Sequence, residues 1–314
     1  MSRRPNHSRG GLAPWWSSEH CVKLIQWKSA IDSVTLENVN AKLYDDVTDF
    51  GPVAHRVYRR NPVLFTTELT ALRTSRWPAD RILLSIADGD DLGAAVQMSG
   101  GVLLVSGLPP ASAKEAAAAV APVRADLPAV RGTSSAAAAF SQAWAEVTGT
   151  SPMTSFTETL YRLDELSAPG GVVGAARLAG DADDELLVGW LDAFFAEAFG
   201  VPSHPEASRE ALRSFAGAAG HMVVWTVDGV PVAMARVQAP AVGMSRIGPV
   251  YAPPDSRGHG YGAAVTAAAV RHAKRRGARE VVLFADVANA VSNRLYRRLG
   301  FVSVVENVQY AFAA

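Results

Sequence analysis

Apolar and polar positions change rhythm many times along this chain, and each change predicts an element. Residues 49–60 and 61–73 space their apolar side chains as helices do, and Asn61-Pro62 reads as a helix start because proline suits a first turn. Residues 81–87 read as a strand, Asp88-Gly89-Asp90-Asp91 as its turn, and 92–97 and 102–105 as two more strands. The Ala-rich stretch 111–121 predicts a helix. Thr133 or Ser134 caps another that runs to Val147 and ends at Gly149, and 157–163 returns to a strand. Ala168-Pro169-Gly170-Gly171 then breaks the pattern.

Beyond the break a similar plan begins again. Residues 174–178 predict a strand, and 183–199 a helix with Leu186, Leu187, Trp190, Phe194 and Phe195 on its apolar side. A helix over 209–219 follows, then strands over 222–227 and 232–237 joined by a hairpin turn at Asp228-Gly229. A strand over 246–251, a helix over 261–276, a strand over 280–286, a helix over 291–299 and closing strands over 301–312 complete the reading. Two copies of one α/β fold are therefore expected, a first domain over 34–168 and a second over 172–314. Residues 1–33 show no period and are rich in Arg, Ser, His, Asn and Pro. They read as a disordered leader, with a docking tail built on Trp15, Trp16 and Trp27 as the sharper alternative.

Composition narrows the function. With 49% hydrophobic and 19% charged residues in 314, the chain has material for real cores. Lys+Arg and Asp+Glu are both 30, so no overall pull toward nucleic acid or an anionic membrane is expected. Cys21 is the only cysteine, which excludes a disulfide framework within the chain and argues against a cysteine-based metal site. No apolar run has transmembrane length, and residues 10–19 interrupt any signal-peptide pattern, so a cytoplasmic location is expected.

The chemistry concentrates at Gly248-Pro249-Val250-Tyr251-Ala252-Pro253-Pro254-Asp255-Ser256-Arg257-Gly258-His259-Gly260-Tyr261-Gly262. A strand ends at Tyr251 or Ala252, two prolines stop further pairing, and a helix opens after the glycines. Glycines let backbone N–H groups approach a ligand, and a helix N-terminus adds unpaired N–H groups and a positive dipole end. Together these make a diphosphate cradle. A Walker loop is excluded because Ala263-Ala264 follow Gly262. A dinucleotide loop stays open, since Asp286 follows the next strand.

Arg257-x-x-Gly260-x-Gly262, between a strand and a helix, resembles the signature of the GNAT acyltransferase superfamily. Asn289, Asn293, Tyr296 and Leu299-Gly300-Phe301 follow in the order that superfamily shows, so the likeness covers about residues 174–312. It implies two tandem GNAT-like domains, each with a mixed, largely antiparallel central sheet flanked by helices. It implies acetyl-CoA as co-substrate, no metal, and an amine acceptor, either a small molecule or a protein lysine. By the same resemblance, the backbone of Val250 and Ala252, beside Tyr251, pairs with pantetheine. The N–H groups of Arg257, Gly258, His259, Gly260, Tyr261 and Gly262 hold the diphosphate, Asn289 and Asn293 face the cofactor, and Tyr296 protonates the departing thiolate.

The strand before the cradle carries no acid in Met244-Ser245-Arg246-Ile247, so no general base is assigned among Glu197, His204 and His221. Arg271, His272, Lys274, Arg275, Arg276 and Arg279 read chiefly as a solvated helix end. The matching turn of the first half, Ser106-Gly107-Leu108-Pro109-Pro110-Ala111-Ser112, lacks the motif and its prolines lack N–H donors, which predicts a copy that binds no CoA. The leading expectation is an N-acetyltransferase. A CoA-binding regulatory or scaffold module without turnover is the alternative, and a tandem-domain enzyme of the mycothiol-synthase kind a third reading. Neither acceptor nor oligomeric state is legible.

Overall fold

The computed structural model describes Thr35–Leu36 and residues 39–73, 81–98, 101–200, 202–217 and 219–312; the expected leader lies outside the described residues. In the first half the elements are β1 (Thr35–Leu36), β2 (Val39–Leu43), α1 (Val47–Tyr58), α2 (Thr66–Ala71), β3 (Leu83–Asp88), β4 (Asp91–Gln97) and β5 (Val102–Leu104). These are followed by α3 (Ala113–Val120), β6 (Ala129–Thr133), α4 (Ser134–Thr148) and β7 (Pro152–Leu163). The second half supplies β8 (Ala175–Leu178), α5 (Asp184–Phe199), α6 (Pro205–Gly217), β9 (His221–Val227), β10 (Val230–Val237) and β11 (Met244–Tyr251). It ends with α7 (Tyr261–Arg275), β12 (Glu280–Asp286), α8 (Ala290–Arg298) and β13 (Phe301–Phe312).

Most expected elements are present, and the differences have local causes. The helix expected from Asn61 starts at Thr66, because Asn61 Oδ1 accepts from Leu64 N (3.1 Å) and holds a turn there. α6 starts earlier than expected, at Pro205, after Asp192 Oδ1 takes the N–H of His204 (2.7 Å). Strands β2 and β6 were not expected. The first is short, and the second carries Arg131 and Gly132, neither of which marks a strand. The closing segment is one long strand, bent by two register shifts.

Among the described residues the strands form one continuous sheet rather than two, in the order β1-β2-β3-β4-β5-β6-β13-β7-β12-β11-β10-β9-β8. The pairing is antiparallel except for β5 with β6 and β11 with β12. At the centre the halves exchange their closing strands. β13 lies between β6 and β7, and β7 lies between β13 and β12. Helices α1, α2, α5 and α6 cover one face, and α3, α4, α7 and α8 the other, as the core clusters show. α7 turns Val265, Val270 and a run of alanines inward, and such small side chains let a helix lie close over β9–β12. Trp144 of α4 stacks on Phe140 and meets Phe312, which ties the end of the chain back into the first half.

This exchange means that neither half closes its sheet alone. Residues 164–314 expressed without β7 would leave β12 and β13 with open edges. That fragment is expected to aggregate or to melt without cooperativity, and residues 152–314 to be more soluble. Size-exclusion chromatography with thermal melts checks this. A sharp transition of the shorter fragment at the full-length midpoint would contradict the reading.

Candidate functional site: an open sheet and an amide-lined turn

Strand β11 is paired on one side with β10 from Ile247 to Tyr251, but on the other side with β12 only from Met244↔Glu280 to Ile247↔Leu283. Beyond Ile247 the two strands part, while β12 continues to Asp286 held by β7. A bulge marks the parting, since Ile247 to Val250 opposes Val237 to Ala235 and so carries one extra residue. Gln238 N donates to Arg246 O (2.9 Å), so Arg246 turns its peptide toward β10 and Ile247 turns its own toward β12. Val237 and Ala235 have the same parity on β10, which turns the peptide groups of Val250 away from β10 and into the opening. Inside an otherwise continuous sheet, this is a gap edged by unpaired backbone.

The turn after β11 carries the second feature. Pro254–Ser256 form one tight turn, closed by Ser256 N to Pro253 O (2.9 Å) and Arg257 N to Pro254 O (3.2 Å). Gly258 and Gly260 follow with φ of +84° and +82°, left-handed values that glycine adopts without strain. The first helical bond recorded is Ala264 N to Gly260 O (3.0 Å). Among the described residues, no chain acceptor is recorded for the N–H groups of Gly258, His259, Gly260, Tyr261, Gly262 and Ala263. Successive N–H groups at a helix N-terminus attract an anion. A methyl group added at Gly262 would touch only Leu295 Cδ1, at 3.6 Å, so the fold itself leaves that position roomy.

Several expected residues are placed differently by their contacts. The N–H of Arg257 is spent within the turn, and its side chain braces the site. Nε donates to Ala252 O (2.9 Å) and Nη2 to Glu197 Oε2 (2.7 Å), with the guanidinium over the Tyr251 ring. The carbonyl of Ala252 is therefore occupied, and Val250 is the residue that presents free peptide groups. Tyr251 donates from its hydroxyl to Glu197 Oε1 (3.0 Å), and burial, reinforced by that carboxylate, raises its pKa. The rings of His259 and Tyr261 stack at 5.4 Å beside the turn.

Asn289 caps α8, accepting from Ser292 N (3.0 Å). Asn293 is buried and fully engaged: Oδ1 accepts from the Tyr161 hydroxyl (2.8 Å), and Nδ2 donates to Asp286 O and Asn289 O (2.8 Å each). It fixes the start of α8 rather than presenting a free amide. One turn later Tyr296 is only 7% exposed, packed against Tyr161 and Phe301 in the cluster that also holds Val250 and Ala263. Its hydroxyl makes no recorded hydrogen bond and is not sealed from solvent. Burial pushes its pKa up to about 12.

The candidate bases all have partners. Glu197 holds Tyr251 and Arg257, His204 Nδ1 accepts from Ala207 N (3.1 Å), and His221 Nδ1 lies 2.7 Å from His272 Nε2. Lys274 donates to Arg279 O (2.6 Å). In the first half, by contrast, the corresponding gap is closed. Val105 N donates to Arg131 O (2.9 Å) within the Leu104↔Arg131 pair, and the chain beyond β5 stays against β6, since a methyl group at Gly132 would fall 2.9 Å from Ser106 N. The turn behind it is filled, since a methyl group at Gly107 would fall 2.6 Å from both Ala94 O and a Tyr58 ring carbon.

No helix among the described residues is long and apolar enough to cross a membrane. Residues 170–301 match the model of the acetyltransferase (GNAT) family. A mycothiol acetyltransferase of Saccharomonospora viridis is 43% identical over 68 residues, 21% of this chain and 22% of that protein. One of Thermobispora bispora is 40% identical over 79 residues, 24% of this chain and 27% of that protein. The chain thus matches about a quarter of the length of these curated relatives. Among solved structures, a GCN5-related N-acetyltransferase of Sphaerobacter thermophilus superposes with a TM-score of 0.58 at 19% identity, covering 88% of this chain and 96% of that one. A tandem GNAT protein of the clavulanic acid biosynthesis pathway gives 0.55 at 13% identity, over 87% and 98%. The fold is therefore GNAT-like over most of its length, and residues 170–301 form a domain of the acetyltransferase (GNAT) family.

Proposed function

We propose that the chain transfers an acetyl group from acetyl-CoA to a primary amine at the opening between β11 and β12. One observation carries this reading: an unpaired strand edge, an amide-lined turn and a buried tyrosine with an unengaged hydroxyl converge on the same end of the sheet. The free carbonyl of Val250 suits an N–H of an extended amide-bearing arm, which would lie there as a short extra strand, and its N–H is left for the thioester oxygen. The N–H groups of residues 258–263 suit the diphosphate.

Two tasks remain once a thioester lies in the opening. As the amine nitrogen bonds to the carbonyl carbon, charge grows on the carbonyl oxygen; the N–H of Val250 would stabilise it, because Pro249 offers none. As the carbon–sulfur bond breaks, the sulfur takes the electron pair and a proton. Tyr296 would supply that proton and recover it from solvent, while the attacking amine loses one of its own to water. A pKa near 12 keeps Tyr296 protonated at any physiological pH, which suits a donor. The second reading, a CoA-binding module without turnover, draws support from the lack of an acid in Met244-Ser245-Arg246-Ile247 of β11. Thiol release from acetyl-CoA in the presence of amines separates the two.

Two tests follow. Tyr296→Phe is expected to lower kcat about 100-fold or more while leaving acetyl-CoA affinity within about twofold. In the unchanged enzyme, no alkaline loss of kcat from this group should occur below about pH 10, since it deprotonates only near 12. Equal turnover by the variant would remove the acid role. Gly262→Val is expected to leave the melting temperature without ligand nearly unchanged and to abolish most of the stabilisation by acetyl-CoA. Undiminished binding by calorimetry would show that the turn does not hold the diphosphate.

A further inference from the structure

The sheet face opposite α7 and α8 carries a group of charged side chains at the seam between the halves. Arg246 of β11 lies one residue before the strands part. Its Nη1 donates to Thr67 Oγ1 of α2 (3.0 Å), and its guanidinium stands 5.9 Å from the centre of the Phe284 ring on β12. Arg131 of β6 approaches the same ring at 5.5 Å and pairs with Glu158 of the exchanged strand β7. Phe284 therefore sits between two guanidiniums at the closed end of the opening. Arg236 of β10 is 7% exposed and stacks at 3.8 Å on Phe215. With its amide correctly oriented, Gln238 Oε1 accepts from Arg236 Nη1 (3.2 Å) and Arg246 Nη2 (2.9 Å).

Charge does not balance here. Among the described residues, three guanidiniums are recorded against two carboxyls, Glu158 and Glu68. Glu158 is committed to Arg131. Glu68 is 1% exposed, its Oε1 has no partner, and burial raises its pKa against the pull of Arg131 and Arg246. Burial also draws Arg131 and Arg246 down to about 10 and Arg236 to about 9. Yet Arg131 keeps 19% of its side chain accessible, and Arg246 and Phe284 are only half-buried. Deep surroundings combined with reachable atoms describe a crevice. Unmatched guanidiniums in such a place are costly unless an anion meets them.

We infer that this crevice receives the acceptor and that the acceptor is an anionic amine, whose carboxylate or phosphate is held by Arg246 and Arg131 while its amine reaches the opening beside Phe284. The inference rests on the proposed acetyl transfer and adds the substrate class to it. It also gives the opening two sides: Tyr296 lies on the face of α7 and α8, and the acceptor would enter from the face of α2 and α5. A guanidinium pair on a planar anion suits two-point recognition.

Acceptor pairs matched in shape but not in charge provide the test: glycine with glycinamide, β-alanine with β-alaninamide, and glucosamine 6-phosphate with glucosamine. With the unmodified full chain, kcat/KM is expected to favour the anionic member by at least about tenfold in one or more pairs. Arg246→Gln should erase that preference by raising KM for the anionic member alone, with acetyl-CoA affinity retained. Calorimetry with acetyl-CoA on the same preparation separates the two levels. Intact cofactor binding with no preference for the anionic member of any pair would overturn this inference alone. Absence of cofactor binding would overturn the functional reading and this one with it.

Discussion

A sheet interior normally leaves no backbone group unpaired, because each orphaned peptide group away from water costs free energy. The parting of β11 from β12 after Ile247 breaks that rule deliberately. The bulge at 247–250 re-aims the strand, and β7 holds β12 in place from its far side. The arginine at the exit of β11 then pins the strand end to α5 through Glu197. Everything assigned to function lies around this opening: free amides at its mouth, a protonated tyrosine under one face, a basic crevice on the other.

The strand exchange explains why a half with no open site is retained in the architecture. β7 belongs by sequence to the first half, yet it is the strand that supports β12 beside the opening and delivers Glu158 to the crevice. α2 of the first half supplies Thr67 and Glu68 to the same place. The Tyr58-filled turn at Gly107 and the close approach of Ser106 to Gly132 leave the first half without the opening seen in the second, and in the proposed reading it walls the site.

Much of this was legible in the sequence. Helices and strands with strong period, the glycine turn and the order of Asn289, Asn293 and Tyr296 all read directly, because they rest on local spacing. That Asn293 is engaged by Tyr161 was not legible, since Tyr161 becomes its neighbour only when β7 enters the second half. The exchange itself left no local trace. Nor did the crevice: Arg131 and Glu158 lie on different strands, and Arg246 stood only in a stretch, 244–247, read as carrying no acid.

Backbone hydrogen exchange, followed residue by residue with and without acetyl-CoA, addresses the central claim most directly. The account predicts strong added protection at Val250 and across Gly258–Gly262, with no change over 106–112. Unaltered exchange at Val250 and the glycine turn, or new protection centred on the first-half turn, would contradict it.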